Sequence, residues 1–193
     1  MQPCRWAVAD PLLSAYHDNE WGVPVTDERG LFERLSLEAF QSGLSWRTVL
    51  ARRPAFRAAF AGFDPEVVAG FGVEDTRRLL ADPGIIRNAR KVAAVASNAR
   101  AVLRLRDEGG LSRLVWSHRP PPRSRPLASL ADVPAATPES HALAERLRRA
   151  GFVFVGPVTG YATMQACGLV NDHVTGCPRW EVVRRVTDPT PGR

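Results

Sequence analysis

The chain has 193 residues, 45% of them hydrophobic, enough for one substantial domain or two small lobes around a cleft. No apolar run nears the roughly 20 residues of a membrane span, and the start, MQPCRWAVADP, lacks the apolar segment of a secretory signal. Three cysteines in a chain this long argue against a disulfide framework and for a reducing cytosol, and the net charge is +6.

Taken in order, the predicted elements are helical. Thr26 or Asp27 caps a helix with Leu31, Phe32 and Leu35 on one face. Asp64-Pro65 supplies an N-cap and a first-turn proline before Val67 and Val68. A short helix over Asp75–Leu80 ends at Asp82-Pro83-Gly84. A long one runs from Asn88 to Arg106, with Val92, Val95, Ala96 and Ala99 inward, and stops at Gly109-Gly110. Residues 119–138 hold six prolines and no helical period, the pattern of a loop. Thr137-Pro138 then opens a helix through Arg149, closed by Gly151, and residues 157–171 form a last apolar helix. Alternating strands and internal repeats are absent, so the expected fold is all-α.

Charge is unevenly placed. Residues 1–86 carry 9 Arg against 12 Asp/Glu, whereas residues 87–149 carry 13 Arg/Lys against 5 Asp/Glu. A basic middle third suits a polyanion-facing surface, and equally the solvated helix faces of an Arg-rich protein. There are 25 Arg and a single Lys, Lys91.

Three groups of residues could carry chemistry. Cys4 and His17 near one end, with His173 and Cys177 near the other, make a Cys2His2 set suited to closed tetrahedral zinc. His173 and Cys177 are four apart, so one helical turn or a tight loop aims both at one point. The competing reading makes the thiols small buried hydrophobes and the imidazoles satisfied core groups. Spacing leaves both open, because only the C-terminal pair resembles a ligand motif. A closed site of this kind is structural, and the chemistry must lie elsewhere.

The second group is Leu79–Arg87, a turn with Gly84 at the bend leading into a helix: the shape of a helix-hairpin-helix, whose backbone N–H groups face a phosphate. Arg87, Arg90 and Lys91 add charge there; an ordinary corner packed by Ile85 and Ile86 is the alternative. The third is aromatic. Trp6, Tyr16, Trp21, Phe40 and Trp46 fall in the first fifty residues, with Glu38 inside the apolar stretch Leu37–Leu44. Aromatic faces stack on bases and attract cationic rings, and a buried carboxylate pairs with such a ring. The plainer reading puts the aromatics in the core and Glu38 in water.

Longer runs carry more information. Asp10-Pro11-Leu12 and Tyr16-His17-Asp18-Asn19-Glu20-Trp21-Gly22-Val23-Pro24 closely resemble bacterial DNA-3-methyladenine glycosylase I. So do Gly43-Leu44-Ser45-Trp46, Gly84-Ile85-Ile86-Arg87, Phe154-Val155-Gly156 and the run from Met164 to His173. The resemblance covers about residues 1–180 as one domain and leaves 181–193 as a loose tail. It implies a helix-hairpin-helix repair fold, two helical lobes around a base-binding cleft, with one structural Zn2+ joining the termini through Cys4, His17, His173 and Cys177. It implies Glu38 and Tyr16 as catalytic groups, with Trp46, Trp6 and Trp21 binding the base. Gln41 and Leu44 fall where family members probe or plug the vacated duplex. Gly84, Ile86, Arg87 and Lys91 fall on the DNA-binding hairpin, and Cys167 in the core. Two positions depart: Leu13 where some members carry a pocket Tyr, and Ala162 in place of a hydroxyl residue.

The implied activity is hydrolytic release of 3-methyladenine from alkylated double-stranded DNA by a cytoplasmic, nucleoid-associated monomer with no membrane partner. Related enzymes set an Asp about twenty residues beyond the hairpin; here no acidic residue occurs from 83 to 106. That fits reliance on a good leaving group. A lyase needs an amine nucleophile, and the lone Lys91 belongs to the hairpin, so a monofunctional enzyme is expected. The competing class is a non-catalytic, zinc-stapled module that binds damaged DNA, which has little use for a carboxylate in an anion-binding site.

Overall fold

The computed structural model describes residues 4–187, and among them the only departure from helix, turn and coil is an isolated bridge between Leu127 and Val174. Side-chain caps start most of the helices. Asp10 accepts from the N–H groups of Leu12 and Leu13 to open α1 (Pro11–Asn19), and Asp27 accepts from Gly30 to open α2 (Glu28–Gln41). Ser45 caps α3 (Trp46–Ala51), which is followed by α4 (Arg53–Ala59). Asp64 caps α5 (Pro65–Ala69), and α6 (Val73–Ala81) follows. Asn88 caps α7 (Ala89–Leu105), ahead of α8 (Gly110–Trp116). Thr137 caps α9 (Pro138–Arg149); α10 (Pro157–Ala166) and α11 (Arg179–Thr187) complete the chain.

One apolar core joins these helices. Leu31, Phe32, Leu35 and Phe40 of α2 meet Val92, Val95 and Val102 of α7, and the same interior continues to Leu143 and Leu147 of α9 and Met164 of α10. The two sides of the expected cleft therefore share one core. A run of rings, Phe40, Phe56, Phe60 and Phe63, with successive centroids 4.6, 6.3 and 5.6 Å apart, ties α2 to α4 and the turn after it. Beside it lies an ion network. Glu33 accepts from Arg53 Nε at 2.6 Å and Arg57 Nε at 2.8 Å, while Glu20 accepts from Arg53 at 2.6 Å and Arg34 at 2.8 Å. The network fastens the segment after α1 onto α2 and α4.

Two expectations are corrected. The apolar helix over 157–171 ends at Ala166, because Gly168 turns the chain with φ +76°, and a Cβ there would lie 2.6 Å from the Gly22 carbonyl oxygen. Nor is it the last helix: α11 occupies the start of the expected tail and buries Trp180 and Val183, while residues 188–193 lie outside the described residues.

Candidate functional site

A cleft of about 540 Å³ opens where α1, α2, α3 and α10 converge, a size ordinary for a small-ligand site. Tyr16 and Leu13 come from α1, Glu38 and Gln41 from α2, Trp46 from α3, Ala162 and Gln165 from α10, and Trp6 and Trp21 from the segments flanking α1. The spacings are helical: Leu13 and Tyr16, Glu38 and Gln41, and Ala162 and Gln165 are each three apart and share a face. The five expected pocket residues are thus brought together, and the two departures, Leu13 and Ala162, lie in the same wall.

The rings make an aromatic box. Tyr16 and Trp46 have centroids 5.2 Å apart and tilted by 52°; Trp6 meets Trp21 edge to face at 5.1 Å. Glu38 is the only acidic residue of the lining, 7% exposed, and no group among the described residues hydrogen-bonds to its carboxylate. Burial pushes its pKa up to about 8, against a weaker downward pull from Arg34 one helical turn earlier. Burial, and then the proximity of Glu38, holds the Tyr16 hydroxyl well above the usual phenol range, so it stays protonated. The Trp46 indole N–H is buried without a partner. Three polar groups left unmatched in an aromatic box are what a ligand with its own donors, acceptors and positive charge would satisfy.

Some of the lining has no signal in the sequence. Leu130 and Val133 of the proline-rich loop close one side. That loop is pinned by the Leu127 carbonyl, which accepts from Thr175 N–H at 2.8 Å, and by Arg123, 3.3 Å from Asp172. Gln165 donates to Asp172 at 2.8 Å, and Arg47 pairs with Asp10 at the mouth.

Behind the tryptophans lies the cysteine–histidine cluster. Cys4, His17, His173 and Cys177 are all buried, with their ligand atoms within 4.8 Å of one another. His17 Nε2 and His173 Nδ1 are 3.1 Å apart, and three of the sulfur–nitrogen separations are 3.5, 3.6 and 3.8 Å. A tetrahedral ion about 2.0 Å from nitrogen and 2.3 Å from sulfur requires edges of roughly 3.3–3.8 Å, so the set fits a metal. The outer ring atoms agree. His17 Nδ1 lies 2.7 Å from Asp18, and His173 Nε2 lies 3.2 Å from the Trp21 carbonyl. Protons on those outer nitrogens leave two lone pairs facing each other, an arrangement that calls for a cation between them. Burial, and then His17, pushes the His173 pKa down to about 3, keeping it in the neutral form that ligates. The His173–Cys177 spacing is a tight turn through Gly176 at φ +84°, not a helical turn.

The expected DNA-facing residues divide. Leu44 is 41% exposed on the turn after α2, where Gly43 has φ +81° and Leu44 N–H donates to the Gln41 carbonyl at 2.7 Å. Gly84 sits in the corner between α6 and α7, where a Cβ would come within 3.0 Å of Ala55. Ile86 is partly buried, and Arg87 and Arg90 are exposed. Lys91 is the correction. It is 7% exposed, and its ammonium donates to the carbonyls of Phe40 at 2.9 Å and Ser42 at 2.7 Å, so it does not stand at the outer face to meet a phosphate. Cys167 lies in the core as expected.

The all-helical fold, with exposed arginines at the corner before α7 and an aromatic cleft that holds a carboxylate in its wall, is that of solved DNA glycosylases of the helix-hairpin-helix class. The methyladenine glycosylase family model matches residues 6–180, and the chain belongs to that family. It is 49% identical over 181 residues to DNA-3-methyladenine glycosylase 1 of Escherichia coli K12, covering 92% of this chain and 96% of that one. The fold is similar to a crystal structure of 3-methyladenine DNA glycosylase I, with TM-score 0.88, 51% identity and coverage of 92% and 98%. It is likewise similar to the Staphylococcus aureus enzyme, solved to show the structural basis of 3-methyladenine recognition, with TM-score 0.87, 33% identity and coverage of 92% and 96%.

Proposed function

We propose that this protein is a monofunctional DNA repair glycosylase that flips 3-methyladenine out of alkylated duplex DNA and hydrolyses its N-glycosidic bond. The observation that carries the reading is the partnerless Glu38 carboxylate buried among aromatic faces. Adenine alkylated at N3 is cationic. Entering the cleft, it adds a positive charge to the weak pull of Arg34 and draws the carboxyl into its ionised form. Trp46, Trp6 and Trp21 stack on or flank the ring, an interaction a cation strengthens and neutral adenine does not. Tyr16, still protonated, has a hydrogen to donate to the base.

Water then attacks the anomeric carbon as the carbon–nitrogen bond breaks. The bonding pair leaves with the base, which departs neutral, and the attacking water loses its proton to solvent. Glu38 is the one acid in the lining, and Asp107 is an exposed residue of the turn after α7. The chemistry therefore depends on the leaving group more than on a strong base, which predicts narrow selectivity for N3-alkylated purines. Lys91, the only Lys, is held beneath α2 and outside the cleft lining, which supports the absence of lyase chemistry.

Gln41 and Leu44 would fill the gap left by the flipped nucleotide, while Gly84, Ile86 and Arg87 meet the phosphates; damaged bases lower the cost of flipping, which is a few kcal/mol. Cys4, His17, His173 and Cys177 would hold one Zn2+, which with four protein ligands leaves no open position and acts structurally. A monomer in the cytoplasm, acting on double-stranded DNA, completes the reading. No helix among the described residues is long and apolar enough to cross a membrane.

The test is base release from methylated duplex DNA by the wild type and by Glu38→Ala. The reading expects 3-methyladenine without 7-methylguanine from the wild type, and a loss of roughly ten- to a thousandfold in the variant. Tight binding to damaged DNA with no base released by folded, metal-loaded wild type would instead mean a damage-binding module.

A further inference from the structure

The one lysine of this arginine-rich chain is buried. Lys91 lies in the first turn of α7, directly after the corner that carries Arg87 and Arg90. Its ammonium is buried and donates to two converging carbonyls at the C-terminal end of α2, those of Phe40 and Ser42. Its own backbone N–H donates to Asn88 Oδ1 at 3.2 Å, so both ends of the residue are fastened. The ammonium meets both carbonyls from the single Nζ atom, whereas a guanidinium reaches two carbonyls through separate nitrogens, as Arg29 does with Gly62 and Ala61. The carbonyl end of the 14-residue α2 carries partial negative charge, which offsets the desolvation that draws the Lys91 pKa down.

The two ends of this link matter. Ser42 opens the turn that directs Gln41 into the cleft and Leu44 outward, and α7 begins at the hairpin. We propose that Lys91 is a positioning residue that holds the Gln41–Leu44 turn in register with the hairpin, so that grip on the phosphates and insertion into the duplex occur as one event. The inference rests on the glycosylase reading above. Free base bound in the cleft meets this turn only through Gln41 and does not involve the hairpin, whereas extrusion of a base from a duplex needs both segments.

The experiment compares wild type with Lys91→Met and Lys91→Gln in the full chain. One measurement is binding of free 3-methyladenine, followed by quenching of cleft tryptophan fluorescence. The other is single-turnover release from duplex DNA at saturating protein. The expected result is free-base affinity within about twofold of wild type and duplex release slowed by about ten- to a hundredfold, the scale of a remote ångström-sized misplacement. Parallel losses in both measurements in both variants would make Lys91 a structural residue and overturn the proposal. Undiminished duplex release would overturn it as well. Wild type that binds free base but releases none from duplex overturns the glycosylase reading, and this inference falls with it.

Discussion

At the scale of single residues, Glu38 sets stability against use. Its carboxyl, ordinarily near 4.5, is raised by burial to about 8. The unfolded chain therefore gives up this proton at lower pH than the folded one. Stability from the neutral form is complete below about pH 4.5 and is lost as pH rises to about 8. Glu38→Gln carries no such proton. The variant's stability relative to wild type should rise between pH 5 and pH 8.5 by about 1–4 kcal/mol, read from urea melts at the two pH values, since each unit of pKa difference is worth about 1.4 kcal/mol. A pH-independent difference would show that Glu38 titrates normally and that its burial is relieved in solution. Base release should move the opposite way: it needs the carboxylate, so wild-type activity should rise through the same window.

At the scale of elements, what was legible was what is local. The Asp, Asn and Thr caps of α2, α5, α7 and α9 act within three residues, so these helices can be read from sequence. The short α3, α4 and α8, of six or seven residues each, exist because the core holds them and carry little period of their own. Lys91 was misread as a phosphate contact because charge near a hairpin reads as exposed; one residue past Arg90, a helix turns by about 100° and faces inward. Leu130 and Val133 were invisible as cleft residues because a proline-rich loop has no period to show which side faces in. The end of α10 was hidden because an apolar run reads alike as buried helix or buried coil.

That ending is set by packing rather than by sequence bias. At Gly168 the segment Gly22–Pro24 crosses α10's C-terminus so closely that a Cβ would meet its backbone at 2.6–2.8 Å. Gly22 N–H also donates to Gln165 and Val25 N–H to Cys167, both at 3.1 Å, which seats Trp21 in the cleft wall. Gly168→Ala should therefore cost upward of about 3 kcal/mol, the sum of left-handed strain and a backbone clash. Gly43 has a similar φ of +81° but no atom within 4 Å of its added Cβ. Gly43→Ala should cost only about 1–2 kcal/mol. Equal losses in thermal or urea unfolding would mean that the conformational term dominates at both sites and the packing at Gly168 relaxes freely.

At the scale of the molecule, the cysteine–histidine cluster and the cleft are one structure. Cys4, His17, His173 and Cys177 draw together nearly the full length of the chain, where closure entropy is largest. Their neighbours are the cleft's own walls. Trp6 packs on His17 at 5.4 Å and Trp21 on His173 at 4.7 Å, and both line the cleft. Asp172, beside His173, holds Gln165, and Thr175, between the two C-terminal ligands, anchors the loop that brings Leu130 and Val133 to the cleft. If the cluster holds the proposed ion, its removal would leave two buried thiols and two facing imidazole lone pairs. The Cys4 thiol, its pKa pushed up to about 12 by burial, by then holds its proton, and the cluster loses what drew it together. Loss of metal should thus act twice. Cys177→Ser, or exhaustive chelation, should lower stability by several kcal/mol, as expected for a structural site. It should also weaken free 3-methyladenine binding at temperatures where the protein is still folded, because both tryptophan walls and the loop lose their anchor. The decisive comparison is with a variant of equal stability altered away from the cluster, in the core between α5 and α7, such as Val68→Ala. If both bind the base equally well, the cluster is a staple only. If the metal-depleted protein alone loses the base, the staple also shapes the cleft.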